Sequence, residues 1–179
     1  MTVPATVIND TYLECISPQS DVAVKPIPFT VTQNAKQFSL DTMFYWYYNF
    51  PSIEEILPHQ GPESGGTEIT LKGKNFAPFE GIENQINNKD DVYCGFFELN
   101  LRVRAKILNA TRALCISPPS YYVNSSLIEI TLNGIDYTSA DGGDSKNNRF
   151  NYYKPPYIYD VDPREGPVRG GTLVTIKGT

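Results

Sequence analysis

Apolar and polar residues alternate with a period of two along most of residues 52–153. In 67–72, Ile69 and Leu71 fall on one face and Glu68, Thr70 and Lys72 on the other. Such alternation predicts a half-buried strand. Over 102–108, Val103, Ala105 and Ile107 alternate with Arg102, Arg104 and Lys106, and over 127–133 Ile128, Ile130 and Leu132 are predicted to face inward. Shorter runs at 52–57, 91–97, 113–116 and 149–153 complete seven predicted strands. Pro58 closes the first, Gly73 with Phe76 ends the second, and Pro118-Pro119 closes the fifth. Residues 59–66 read as turn, and 77–90 as loop with an Asn-rich stretch at 84–88. No segment carries a helical period. Seven short strands in about 100 residues predict an all-β, immunoglobulin-like sandwich.

The same pattern returns. Pro51, Ile53, Pro58, Gly61-Pro62, Gly65-Gly66-Thr67 and Gly73 recur 105 positions later as Pro156, Ile158, Pro163, Gly166-Pro167, Gly170-Gly171-Thr172 and Gly178. Ala5, Asn9, Thr11 and Cys15-Ile16-Ser17-Pro18 recur 100 positions later at Ala105, Asn109, Thr111 and Cys115-Ile116-Ser117-Pro118. Self-similarity at a fixed spacing predicts tandem units. Residues 51–155 form one complete unit, 1–50 the back half of the unit before it, and 156–179 the front of the next. The frame predicts a fragment of a longer chain. A half unit cannot bury its apolar face, so residues 1–50 need further sequence or a partner.

The run from Pro51 to Phe76, with its Gly-Pro, Gly-Gly-Thr and Gly-x-x-Phe spacing, closely resembles the opening of IPT/TIG domains. Val92-Tyr93-Cys94-Gly95-Phe96, Cys115-Ile116-Ser117-Pro118 and Leu132-Asn133-Gly134 fit the same pattern. The resemblance implies tandem immunoglobulin-like β-sandwiches, one complete and two partial. It says little about function, because the family spans cell-surface receptors, ciliary and protist multidomain proteins, transcription factors and domains of carbohydrate enzymes. The glycine pairs read as tight turns with positive φ. They lack the Lys-Ser/Thr of a phosphate loop and lead into a strand, so no helix dipole would face a phosphate.

Cys94 and Cys115 fall on the third and fifth strands of the complete unit, and Cys15 is the equivalent of Cys115. One reading is a Cys94–Cys115 disulfide in an oxidising compartment; the other is a pair of reduced, buried apolar residues. Asn9, Asn109 and Asn124 begin three glycosylation sequons, no enrichment for a chain with 14 Asn, although Asn9 and Asn109 hold the same place in two units. The alternative is plain loop asparagine.

Net charge is −5. That argues against sequence-independent binding to nucleic acid and against an anionic membrane surface. No apolar run approaches a bilayer span. The single histidine, His59, lies in a turn and reads as solvated, and no nucleophile–base set can be drawn. The chain is therefore not expected to be an enzyme. No metal or cofactor is expected: Asp141 and Asp144 could touch calcium, but too few oxygen ligands surround them and a solvated turn is the better reading.

Residues 43–50 are strongly aromatic. Aligning the units pairs Tyr45 with Phe150 and Tyr47 with Tyr152 on one strand face, and Phe44 with Arg149 and Trp46 with Asn151 on the other. Phe44 and Trp46 are therefore candidates for a partner-binding stripe, unless other residues of their own unit cover them. Proline at each joint predicts a semi-rigid rod. The expected function is spacing and protein–protein docking at the cell surface, with other proteins or neighbouring immunoglobulin-like units as partners. An intracellular ciliary or cytoskeletal scaffold is the alternative, and an accessory domain of a carbohydrate-active enzyme a third.

Overall fold

The structure is a computed structural model describing residues 2–21, 23, 25–78, 91–138 and 147–179. Asp141, Asp144 and the 84–88 stretch lie outside the described residues. The chain forms two compact units, Met1–Phe50 and Pro51–Thr179.

In the first unit, β1 (Ala5–Val7) pairs antiparallel with β2 (Leu13–Cys15), and β3 (Pro26–Phe29) with β4 (Met43–Trp46). Each pair is a separate two-stranded sheet.

The second unit opens with a sandwich. Its strands are β5 (Ser52–Leu57), β6 (Gln60–Pro62), β7 (Glu68–Lys74), β8 (Tyr93–Phe96), β9 (Leu101–Arg104), β10 (Lys106–Asn109), β11 (Arg112–Ile116), β12 (Ser125–Thr131) and β13 (Arg149–Tyr153). One sheet runs β10-β11-β7-β5, the other β6-β13-β12-β8-β9. Alternate residues of β7, β11 and β13 are buried, as a strand with one face on a core requires. The core lies between the sheets. Ile56, Ile69, Leu71, Ala113 and Cys115 come from one sheet, and Cys94, Phe96, Ile128, Ile130, Phe150 and Tyr152 from the other. Each fully buried Ile, Leu or Phe stabilises the fold by about 1.5–3 kcal/mol. The chain continues into β14 (Ile158–Asp162) and β15 (Thr175–Gly178), which form a two-stranded antiparallel sheet.

Four expectations need correction. The strand predicted over 102–108 is two strands: the backbone leaves the five-stranded sheet at Arg104 and joins the four-stranded one at Lys106. Ala105 makes the crossing, its N–H donating to the Val92 carbonyl at 3.0 Å. Residues 59–66 are not all turn, because β6 pairs in parallel with β13. Gly73 does not end its strand: it lies opposite Ile53, and pairing extends to Lys74. Leu132 lies beyond the end of β12, where Asn133 reverses the chain. The inward set is Ile128 and Ile130, while Glu129 and Thr131 on the other face are also buried, because Tyr137 folds back to bridge Thr131.

Candidate functional site

Cys94 on β8 and Cys115 on β11 meet in the core from opposite sheets. Their sulfurs are bonded, with Cα atoms 6.3 Å apart, and both residues are buried. Cys15 on β2 is a free, half-buried thiol.

The three sequon asparagines are all exposed. Two share one geometry. Asn9 Oδ1 accepts bonds from the Thr11 N–H and Thr11 Oγ1, both at 2.9 Å. Asn109 Oδ1 accepts from the Thr111 N–H at 2.9 Å and from Thr111 Oγ1 at 3.0 Å. The sequon threonine thus holds the amide oxygen of its asparagine in a turn. Asn124 sits before β12, and its carbonyl accepts from the Tyr152 N–H at 2.7 Å.

Pairing of β3 with β4 places Pro28 opposite Phe44 and Pro26 opposite Trp46. Residues directly opposite share a face, so two aromatic rings and two prolines line one side of this hairpin. Phe44 is 61% exposed and Trp46 half-buried. On the other face Tyr45 and Tyr47 meet edge to face at 5.0 Å, as Phe150 and Tyr152 do at 5.1 Å in the core of the second unit. Arg149 and Asn151, the counterparts of Phe44 and Trp46, are polar anchors. Arg149 pairs with Glu98 at 2.6 Å, and the Asn151 side-chain amide donates to the His59 carbonyl at 3.5 Å.

Glu98 also accepts a bond from the Leu127 N–H at 2.6 Å. Partial burial works to raise its pKa, but that bond and the Arg149 guanidinium outweigh it and hold the carboxyl below its ordinary value. Burial pushes the Tyr152 phenol up to about 12, and its hydroxyl has no hydrogen-bond partner among the described residues.

Among the described residues no three His, Cys, Asp or Glu are gathered to hold a metal, and no helix is long and apolar enough to cross a membrane. His59 is exposed. Two hollows of about 370 Å³ lie along the β14 segment (Ile158, Asp160, Arg164) and the 31–39 turn (Thr32, Asn34, Phe38).

One repeated turn escaped sequence reasoning. Asn34 Oδ1 accepts from the Lys36 and Gln37 N–H groups at 3.0 and 2.9 Å; Asn133 Oδ1 accepts from those of Ile135 and Asp136 at the same distances. Thr32 bridges Phe38 as Thr131 bridges Tyr137. The shared Thr-x-Asn was the available signal. The opening hairpins match as well. Ile53 lies opposite Gly73 and Ile158 opposite Gly178, with a register shift after each isoleucine. Lys72 pairs with Glu55 at 2.7 Å and Lys177 with Asp160 at 2.9 Å.

The chain is similar in sequence to known proteins. Mouse (Mus musculus) Fibrocystin-L is 25% identical over 97% of this chain, which covers 4% of that protein. Mouse Plexin-B2 is 31% identical over 72% of the chain, covering 6% of that protein. A solved structure of the plexin A4 full extracellular region aligns with 99% of the chain and 14% of its own length, at 18% identity and a TM-score of 0.46; so loose a superposition carries no argument here. The chain spans only a few per cent of the curated relatives it matches. The IPT/TIG domain profile matches residues 51–152, more than half of the chain, and the chain belongs to that family.

Proposed function

We propose that this chain is a non-enzymatic structural and adhesive segment of a multidomain protein, an array of immunoglobulin-like units that sets spacing and displays docking surfaces outside the cell. The carrying observation is the doubled geometry. The β14–β15 hairpin repeats the register and cross-strand ion pair of β5–β7, and the β3–β4 hairpin repeats the turn that follows β12. In this reading residues 51–155 are a complete unit, 1–50 the back of a preceding one, and 156–179 the front of a following one. Partners are other proteins or neighbouring units, with no nucleic acid and no insertion into a membrane by this segment. The extracellular placement is supported by the bonded cysteines and exposed sequons. Phe44 and Trp46 are the proposed docking stripe; retention of partner binding in an F44S/W46S variant would remove that role.

The test is peptide mass spectrometry of unreduced protein from its native source. A linked Cys94–Cys115 peptide together with glycan on Asn9, Asn109 or Asn124 is the expected result. Free thiols and bare asparagines would replace this reading with an intracellular scaffold.

A further inference from the structure

Basic residues are unevenly placed in the complete unit. From Asn100 to Ile128 the chain has Arg102, Arg104, Lys106 and Arg112 but no Asp or Glu, although its net charge is −5. Arg102-Val103-Arg104-Ala105-Lys106 concentrates most of them, and a short run this rich in Arg and Lys is a recurrent site for polyanions. Among the described residues β9 is the last strand of the five-stranded sheet and β10 the last of the four-stranded one. Only Ala105 separates them, so the two strands form one edge of the sandwich. Arg102 and Arg104, opposite Gly95 and Tyr93, stand on the outer face of the first sheet. Lys106, opposite Leu114, and Arg112 stand on the outer face of the second, since Ala113 and Cys115 turn inward. All four are exposed. Alternate residues of an extended strand are about 6.6 Å apart, which spaces the charges evenly along the edge.

Other cations of the unit have structural work. Lys72 holds Glu55 at 2.7 Å, Lys74 holds Glu54 at 2.7 Å and Arg149 holds Glu98 at 2.6 Å. Arg102, Lys106 and Arg112 have no carboxylate partner among the described residues. Glu129, across Gly95 from Arg102, is buried. The Tyr93 ring instead takes both guanidinium groups, Arg102 at 4.6 Å and Arg104 at 5.9 Å from its centroid. The fold does not demand these charges. In the preceding unit, 100 positions earlier, the same places hold Thr2, Pro4, Thr6 and Tyr12. Guarding a strand edge takes charge but not a particular sign, and β5, at the other end of the four-stranded sheet, carries Glu54 and Glu55.

We infer that the β9–β10 edge binds a sulfated polysaccharide. The inference rests on the extracellular reading, because outside the cell the long polyanions at hand are sulfated sugar chains. Cations wrapped around an edge, away from both hollows described above, suit a long flexible polyanion better than a small phosphate, which needs a cleft. The planar donor fork of arginine fits sulfate oxygens as it fits those of phosphate and carboxylate. Stacking on Tyr93 holds Arg102 and Arg104 in place beforehand, which lowers the ordering cost of binding. The acidic remainder of the chain repels the same polymer and so confines it to this edge. Each cation that neutralises a fixed anion releases a counterion, so the affinity falls as salt rises.

The test measures binding of the full chain to immobilised heparin, with desulfated heparin and polyglutamate as parallel probes. The expected result is binding to heparin alone, with a slope of log affinity against log salt of about −3. R102S/K106S/R112S should bind at least about tenfold more weakly. K25S/K154S/R169S removes the same charge from exposed positions elsewhere and should bind as the unsubstituted chain does. R102S, K106S and R112S taken singly should each reduce the slope by about 1, a readout that does not depend on the triple variant folding. Equal loss in the two triple variants overturns the inference, as do equal binding to desulfated heparin and single variants with an unchanged slope. Tighter binding to polyglutamate overturns it in favour of an acidic protein segment. None of these outcomes alters the disulfide and glycan results that test the extracellular reading. Free thiols and bare asparagines, in turn, would remove the extracellular source of the ligand and leave the heparin slope as it is, so the two failures are distinguishable.

Discussion

Gly65 and Gly170 provide a controlled pair of substitutions. Both have φ of +74°, so alanine meets the same backbone strain at each, about 1–2 kcal/mol for an L-residue in that region. They differ in surroundings. A methyl at Gly65 would stand 2.7 Å from the Pro118 carbonyl carbon and the Pro119 nitrogen and 2.8 Å from the Ser117 oxygen, all backbone atoms that cannot rotate away. Overpacking of this kind costs about 1–3 kcal/mol. Displacing Ser117 also disturbs three hydrogen bonds, from the Gly66 N–H to its carbonyl, from its N–H to the Thr67 carbonyl and from the Thr67 N–H to its Oγ, each with a net contribution of about 1 kcal/mol. Lower entropy of the unfolded chain returns about 0.4–1 kcal/mol. Gly65→Ala should therefore destabilise the sandwich by about 3 kcal/mol, lowering the midpoint of a domain this size by roughly 12–24 °C. Gly170→Ala meets open space, so it should carry at most that φ strain, about 1–2 kcal/mol, with no packing cost. Urea and thermal unfolding followed by far-ultraviolet circular dichroism measures both. A Gly65→Ala loss below about 1 kcal/mol, no more than the φ strain alone, would refute the reasoning.

Other expectations follow from the same packing. Opening the Cys94–Cys115 bond by a C115A substitution, across a sequence separation of 21, should cost about 3 kcal/mol in denaturant titrations, and added reductant should change the variant's stability little. Tyr152→Phe removes a buried hydroxyl without a partner, so stability at pH 7 should stay level or rise. Because the folded phenol has its pKa raised, the stabilisation tied to it is complete below the unfolded value of 10.0 and disappears as pH climbs toward about 12. Alkaline unfolding should therefore lose that slope in Y152F. Glu98 works in the opposite direction. Its folded pKa is depressed, so its contribution is present above the unfolded value of 4.5 and is lost as pH falls through the lower folded one. An E98Q variant should show a shallower acid transition, measured by tyrosine fluorescence.

Strands with a single buried face were legible from their residues. The run 52–57 and the run 149–153 match β5 and β13 end to end; Pro51 and Pro58 bound the first, Asn147-Asn148 and Lys154-Pro155 the second. What escaped reading depends on partners distant in the chain. Val103, Ala105 and Ile107 keep one inward period through the crossing, so alternation alone cannot reveal that the hydrogen-bonding partner changes at Ala105. Gln60-Gly61-Pro62 has turn composition and becomes a strand only because β13 presents an edge beside it. Glu129 reads as solvated, and the Tyr137 ring against Gly95 helps to explain why it is buried. At the candidate sites, the paired cysteines and repeated sequons were visible as residue types at fixed offsets. The orientation of Phe44 and Trp46 depended on register with Pro28 and Pro26, which no local pattern specifies.

The parallel pairing of β6 with β13 has a mechanical consequence. β6 follows the entry of the chain into the sandwich and β13 precedes its exit, and they run in the same direction. In the proposed array, tension through this unit would pull the two strands past each other along their lengths. The bonds from the Asn151 N–H to His59 and from the Glu63 N–H to Tyr153, at 2.9 and 2.8 Å, are then strained together instead of peeling one after another. The parallel pair thus resists as a shear pin does, its bonds sharing one load.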